Sequence, residues 1–345
     1  MNSTNSSVSN TTTSPEVGII PLSAYIVPVV FSFIFLVGVV GNSLVIFIIL
    51  RHRAMRTTPN IFIGSLALGD LLLLLVSVPF YGMIYTHYDW PYGEFLCKVK
   101  GFLLTQSLGV SVFMLTVLAV NRYITTMIPN RQQQSPRRTL LTAAAVWILV
   151  SAVALWEGYL RHVTTHYLPD RPPLRICHSL VQSTLERPSG PCVRVCIRFA
   201  VFFLIPLLII GVLYALMARR LWSGHLDLQM QPFASQTSIE SGRKISIIVL
   251  SMAVIFTICW LPRHSYMIWF HCPSHGDYNL FWHVLKITSY CLCFINSCVN
   301  PVLLYLISAR FRRHFNFYFG CRWRSERLED LHSPDNDSTG TTTAM

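Results

Sequence analysis

Hydrophobic residues in this chain run in long blocks instead of alternating with polar ones. Seven blocks are each about long enough to cross a bilayer core as a helix, which takes roughly 20 residues. They cover residues 25–50, 61–85, 101–120, 139–156, 199–218, 245 to about 270, and 287–309. The first carries no charge, and the second carries a single one, Asp70. Any one block reads equally well as a buried core helix. Seven of them, with short links and little charge between, predict an all-α bundle of seven membrane-spanning helices.

Composition points the same way. Of 345 residues, 52% are hydrophobic and 12% charged, the latter about half the usual share for a soluble domain. Mean hydropathy is +0.48. These values argue against a soluble enzyme, a disordered chain and a collagen-like chain. Lys plus Arg is 27 and Asp plus Glu 15, a formal net charge of +12. Such an excess could suggest nucleic acid, but its placement points to membrane topology instead. Arg51, Arg53 and Arg56 follow the first block, and Arg131, Arg137 and Arg138 the third. Arg219, Arg220, Arg243 and Lys244 bracket the link between the fifth and sixth, and Arg310, Arg312 and Arg313 follow the seventh. These loops alternate along the chain, so they are expected on the cytoplasmic side, with the N-terminus outside. The link between the fourth and fifth blocks is also basic, through Arg161, Arg171, Arg175 and Arg187. It is long, and long loops follow the charge rule weakly.

The division expected is an extracellular tail (1–22), a seven-helix domain (23–309), a membrane-surface helix (310–321) and a cytoplasmic tail (322–345). Asn2, Asn5 and Asn10 head glycosylation sequons in the first of these. The sequon at Asn336 falls on the cytoplasmic side and reads as a chance match. No cleaved signal peptide is evident, so the first span is expected to serve for targeting. In the third segment, Phe311, Phe315 and Phe319 alternate with Arg310, Arg312 and Arg313, the pattern of an amphipathic helix lying on a membrane. Cys321 follows as a candidate palmitoylation site. Ser333, Ser338, Thr339, Thr341, Thr342 and Thr343 then form a phosphorylatable end suited to receptor kinases and an arrestin-like partner.

An ionisable residue in mid-membrane is costly, and Asp70 is therefore a functional candidate. Asn42, Ser111, Asn296, Ser297 and Asn300 are further polar residues within spans. They suit either a small hard cation such as Na⁺ or a packing network with water. Pro206, Pro262 and Pro301 should kink the fifth, sixth and seventh spans.

These residues together form a pattern. The chain resembles the rhodopsin-like (class A) G-protein-coupled receptors across essentially all seven spans. The resemblance rests on Gly41-Asn42, Leu66-Ala67-Leu68-Gly69-Asp70, Trp90, Cys97 and Asn121-Arg122-Tyr123. It continues through Trp147, Pro206, Tyr214, Phe256, Cys259-Trp260-Leu261-Pro262 and Asn296-Ser297-Cys298-Val299-Asn300-Pro301. Within that family the stretch 108–113 and the run 296–306 look like bombesin and endothelin peptide receptors. As in that group, Leu304 stands where most of the family has tyrosine, and Tyr305 follows.

The resemblance implies a cell-surface receptor for an extracellular peptide that activates heterotrimeric G proteins, with no enzymatic activity and no cofactor. It implies a sodium pocket of Asp70, Ser111, Asn296 and Asn300, with Na⁺ as an allosteric ion. Trp260 becomes a rotamer switch, with Pro206, Val112 and Phe256 as its packing connector. Arg122, Tyr123, Tyr214, Pro301, Leu304 and Tyr305 join activation and G-protein contact. Cys97 and Cys177 become a disulfide, and both lie on the oxidising outer side. Cys192, Cys196 and Cys272 lie near that side too, and a second bridge between Cys192 and Cys272 is one pairing open to them.

Three departures matter. Asn121 replaces the acid that usually precedes Arg122, which predicts a weaker resting lock. Asn130 replaces a bulky apolar residue in the second inner loop. Gly242 offers no acid to clasp Arg122. A non-signalling decoy or scaffold is therefore the rival reading. An enzyme or transporter is disfavoured, because the spans hold no metal triad, acid pair or Ser/His relay, and show no inverted repeat.

The ligand pocket is expected to draw on Lys98, Lys100, Leu104, Gln106, Trp260, Arg263, His264, Lys286 and Tyr290. An amine receptor of this family needs an acid near Leu104, where Leu103, Leu104 and Thr105 offer none, and an opsin needs a lysine where Phe294 stands, so both are disfavoured. The basic groups, Arg263 above all, call for a ligand with an acidic side chain or free carboxylate. A small anionic non-peptide is the alternative. Leu104 and Tyr290 replace the glutamine and arginine of bombesin receptors, so bombesin itself is not expected to bind.

Overall fold

The computed structural model describes residues 16–87, 89–127, 135–167, 173–179, 190–223, 236–272 and 279–318. Asn2, Asn5, Asn10, Asn130, Cys321 and the Ser/Thr-rich end lie outside the described residues. The helices are α1 (Glu16–Arg51), α2 (Thr58–His87), α3 (Gly93–Met127) and α4 (Pro136–Tyr159). They continue with α5 (residues 190–223), α6 (Gln236–His271), α7 (Leu280–Ile307) and the short α8 (Ala309–Tyr318). Seven of the eight, α1 to α7, are long and apolar enough to cross a membrane. This is a seven-span membrane protein.

Most of the helices outrun the apolar blocks that announce them. Hydropathy marks where a helix meets hydrocarbon, whereas backbone hydrogen bonding carries the helix on into polar sequence. Thus α3 begins at Gly93 and takes in Glu94 and Lys98, and α6 begins at Gln236. The tail expected over 1–22 yields its last residues to α1, which starts at Glu16. The seventh span stops at Ile307, not 309, and α8 occupies Ala309–Tyr318.

α3 is the axial helix. Within its apolar window 78% of residues are buried, against 22% in α4 and α5. It packs on α2, α4, α5 and α6, while α1 packs on α2 and α7. Apolar side chains on the outer faces, such as Leu141, Ile148 and Leu149 of α4, are exposed, as expected of helices whose solvent is lipid. Small residues allow the close approaches. A Cβ on Gly41 would sit 2.9 Å from Pro301, and one on Gly109 would sit 2.5 Å from Val150.

Helix α5 is not uniform. Gly190–Phe199 and Ile205–Ser223 are joined by a π segment, Ala200–Leu204, just before Pro206. Proline has no N–H and its ring crowds the carbonyl four residues back, so a local widening relieves the α geometry there.

The sequence reading missed one element. A two-stranded antiparallel hairpin, β1 (Arg161–His166) with β2 (Leu174–Ser179), lies between α4 and α5. Its strands are short and lack the alternation that marks a strand. Cys177 of β2 is bonded to Cys97 of α3, Cα atoms 5.7 Å apart, which pins the hairpin over the bundle. Arg175 adds a second tie to Asp89. Its backbone N–H donates at 2.8 Å, and its guanidinium donates to both carboxylate oxygens. Hydrogen bonds from that guanidinium hold the Asp89 carboxyl below the usual carboxylate range. The pair is largely solvent-accessible, so its net contribution is small.

At the opposite end, α8 folds back against the start of the first inter-helix link. Phe311 and Phe315 are buried, and the rings of His52 and His314 lie 4.1 Å apart. His52 Nε2 also lies 3.0 Å from the Tyr318 hydroxyl. Burial, then the neighbouring His52, holds His314 below the ordinary histidine pKa. The sign follows from linkage. The docked state favours neutral His314, so docking is fully present above the ordinary histidine value of about 6.5 and is lost progressively as pH falls from there through the lower docked value. Hydrogen exchange over residues 309–318, corrected for intrinsic rates, should quicken between pH 7.5 and pH 5.5. His314→Gln should abolish that acceleration.

Candidate functional site

The hairpin end opens into a cleft between α3, α5 and α6, roofed by β1. Its walls are Leu104 and Leu108 of α3, Arg161 of β1, Arg198 of α5, and Trp260, Arg263 and His264 of α6. Three guanidinium groups thus converge on one cleft. Gly101 makes room for the first, since a Cβ there would stand 2.6 Å from the Arg161 side chain.

Each cation is held differently. Arg263 donates to the Tyr290 hydroxyl at 2.9 Å, with its guanidinium carbon 4.2 Å from the Tyr290 ring centroid. Arg198 donates to Glu157 at 3.2 Å and to the Thr105 hydroxyl at 3.0 Å. The buried Arg161 Nε has no hydrogen-bond partner. Beside them Lys100 is buried in an aromatic cage, Nζ lying 4.6 Å from the Tyr81 ring and 4.5 Å from Trp90. Rings carry Lys100 without neutralising it. Glu157 is the one carboxylate bonded to any of these four cations among the described residues.

The structure corrects several expected pocket residues. Lys98 points away and pairs with Glu94 at 2.6 Å, because four residues along a helix bring the two together. Gln106 is buried, but it does not line the cleft. Lys286 is half-buried on α7 and lies outside the cleft wall. Tyr290 acts through Arg263. Arg263 is held inside the protein by a phenol and two aromatic faces, Tyr290 and Tyr266, which leaves the carboxylate the sequence calls for to come from the ligand. Arg198 and Glu157 were missed as a pair. Arg198 directly precedes the fifth apolar block, and nothing in the sequence shows that it turns inward.

Below the cleft an aromatic column descends. Trp260 and His264 lie with ring centroids 6.4 Å apart, Trp260 and Phe256 6.0 Å, and Phe256 and Phe203 6.3 Å. Trp260 Nε1 and His264 Nε2 are buried without hydrogen-bond partners. Val112 is fully buried in the same core, and Pro206 follows the π segment. Phe203 stacks on Phe256, one of the three residues the resemblance names as a connector with Pro206 and Val112.

Asp70 lies at mid-bundle with no exposure. Asn300 donates to its Oδ2 at 2.8 Å, while Oδ1 has no partner. Ser107 and Ser297 face the carboxylate, so of the two α3 serines it is Ser107, not the expected Ser111, that does so. The Ser297 hydroxyl is also without a partner. Asn296 is buried on the same stretch of α7. Asn42 donates to the Gly38 and Ser297 carbonyls, both at 2.8 Å, linking α1 to α7 ahead of Pro301. An unpaired carboxylate oxygen beside hydroxyl oxygens fits a small hard cation.

At the far end Arg122 is buried, with Nε unpartnered. Asn121 is buried next to it, and Tyr123 is half-buried. Tyr214 stands close enough to act electrostatically on Arg122, and its hydroxyl donates to the Ser246 carbonyl at 3.0 Å, joining α5 to α6. Leu304 is buried, whereas Tyr305 turns outward to Phe315 of α8, ring centroids 6.0 Å apart. Moving the tyrosine one residue along α7 thus gives it to the surface helix instead of the core.

Residues 41–304 match the family described as the 7 transmembrane receptor (rhodopsin family). The neuropeptide CCHamide-1 receptor of Drosophila melanogaster is 39% identical over 338 residues, covering 93% of this chain and 66% of that protein. Bombesin receptor subtype-3 of Ovis aries is 37% identical over 303 residues, covering 85% of this chain and 74% of that protein. Galanin receptor type 2 of Homo sapiens is 33% identical over 298 residues, covering 85% and 72%. The chain thus spans about two thirds to three quarters of the length of these relatives. With the seven-span bundle, the buried Asp70–Asn300 pair and the buried Arg122, this places the chain in the rhodopsin family of seven-transmembrane receptors.

Proposed function

We propose that this chain is a plasma-membrane receptor that binds an extracellular peptide at its hairpin end and activates a heterotrimeric G protein at its Arg122 end. The hairpin end faces outward on this reading, because the Arg-rich short links lie at the opposite end. The carrying observation is the cleft. Three guanidinium groups surround a space whose floor, Trp260, begins the aromatic column leading into the bundle. Relatives are named as receptors for neuropeptides, bombesin and galanin, which favours a peptide over a small anion. The peptide presents carboxylate or carbonyl oxygens to Arg161 and Arg263. A peptide that binds the active arrangement more tightly than the resting one shifts the equilibrium between them.

Asp70, Ser107, Ser297 and Asn300 hold Na⁺ in this account, which supplies a positive charge to the unpaired carboxylate oxygen. The tail beyond residue 318 offers serines and threonines to receptor kinases and then to arrestin. The test is nucleotide exchange on purified G protein, comparing the chain with Arg122→Ala.

Asn121 bears on the resting state. Among the described residues no carboxylate pairs with the buried Arg122, so on this reading its resting position lacks a charge-assisted bond. Asn121→Asp should lower basal nucleotide exchange roughly 3- to 10-fold, the equivalent of about 1 kcal/mol of added resting-state stability. Unchanged basal exchange at equal receptor levels would refute this role.

A further inference from the structure

Three sulfurs meet where the cleft's α5 and α6 walls reach the hairpin end. Cys192 and Cys272 are disulfide-bonded, with Cα atoms 4.6 Å apart. Cys196, one turn further along α5, is a free and exposed thiol. The sulfurs of all three lie within 4.8 Å of one another. Two cysteines of α5 therefore face Cys272, which directly follows α6, and one bond is shared between them.

The surroundings suit thiol chemistry. Arg194 precedes Cys196, and the fifth apolar block begins only at residue 199, so this turn stands at the membrane surface instead of in hydrocarbon. A thiol within reach of a disulfide attacks through its thiolate, at whichever sulfur is accessible.

From this geometry we infer that the covalent tether between α5 and α6 is exchangeable, with Cys196 able to displace Cys192 as the partner of Cys272. Cys196 gives up its proton to water, and its thiolate attacks Sγ of Cys272. The Cys196–Cys272 bond forms, the Cys192–Cys272 bond breaks, and Cys192 leaves as a thiolate that takes up a proton. No net oxidation or reduction occurs. The alternative attack, on Cys192, would bridge two cysteines four apart on one helix. Their Cβ atoms stand about 5–6 Å apart, and a disulfide needs about 3.8 Å, so that product distorts the helix and is disfavoured.

The exchange moves the α5 anchor by four residues, about 6 Å along the helix, while α6 stays tethered. Arg198 on α5 and Arg263 on α6 line the cleft from the two tethered helices, so the anchor's position bears on how far those walls can separate.

Trypsin resolves the two linkages, because it cuts after Arg194, between Cys192 and Cys196. The full-length receptor is held with a trace of cysteamine at pH 8, acid-quenched, alkylated with maleimide, digested and analysed by mass spectrometry. The expected result is the peptide 195–198 joined to 264–286, together with an alkylated Cys192. Linkage of 264–286 to the Cys192 peptide alone, with Cys196 wholly alkylated, would overturn the inference. In Cys192→Ser, Cys196 alkylation should be lost and Cys196–Cys272 should be the α5–α6 bridge. Free Cys196 and Cys272 in a variant that retains Cys97–Cys177 would also overturn it.

Discussion

Arg263→Ala should raise the peptide concentration for half-maximal response roughly 10- to 100-fold, with expression and fold intact. The guanidinium lines the cleft and keeps donors beyond the one given to Tyr290. A charge-assisted hydrogen bond to a ligand oxygen is worth about 1.5–3 kcal/mol, which sets that range. Arg263→Lys keeps the charge but loses the planar fork, so it should recover only part of the loss. Tyr290→Phe removes the phenol that orients the guanidinium while leaving the ring, and should cost less than Arg263→Ala. The measurement is a concentration–response curve for an activating peptide on each variant at matched surface density. Equal potency in wild type and Arg263→Ala would remove Arg263 from the ligand contacts.

Cys97→Ser should leave little folded receptor at the cell surface. The bond closes a loop with a sequence separation of 80, and the chain-entropy account assigns such a closure about 4–5 kcal/mol. That is a large part of the net stability of an ordinary fold. The loss also frees the hairpin, which carries Arg161 into the cleft and Arg175 to Asp89. Cys177→Ser should match Cys97→Ser, and the double variant should be no worse than either, because all three remove one bond. Cys192→Ser should be milder, since Cys196 stands ready beside Cys272. Surface labelling and thermal denaturation of the purified receptors read both effects. A Cys97→Ser receptor with unchanged melting temperature would contradict this account.

The bundle was legible because each apolar block is long and nearly free of charge, and lipid demands that of a spanning helix. Asp70 was legible for the complementary reason, a charge where charge is expensive, and Arg122 through the family pattern Asn121-Arg122-Tyr123. Helix ends were not, because backbone hydrogen bonding does not stop where hydropathy does. The β1–β2 hairpin escaped because each strand is only six residues long and carries little apolar alternation.

Facing direction is the harder quantity. Lys98 and Lys100 are two residues apart, yet one pairs with Glu94 at the surface and the other is caged by Tyr81 and Trp90. Ser107 and Ser111 differ by one turn, and it is Ser107 that meets Asp70. Such choices are set by helix rotation and tilt, which a single sequence does not encode locally. Arg198 shows the same limit, since only the packed bundle brings it to Glu157 and Thr105.

The most direct test of the central claim is nucleotide exchange on purified Gq, Gs and Gi heterotrimers. It compares the chain with its Arg122→Ala variant in lipid nanodiscs at equal receptor concentration, with and without an activating peptide. The account predicts exchange above the variant on at least one heterotrimer, rising with peptide, and loss of both basal and stimulated exchange in Arg122→Ala. Peptide binding to the wild-type chain with exchange no greater than that of Arg122→Ala on every heterotrimer would contradict it, and would describe a receptor that captures its ligand without signalling through a G protein.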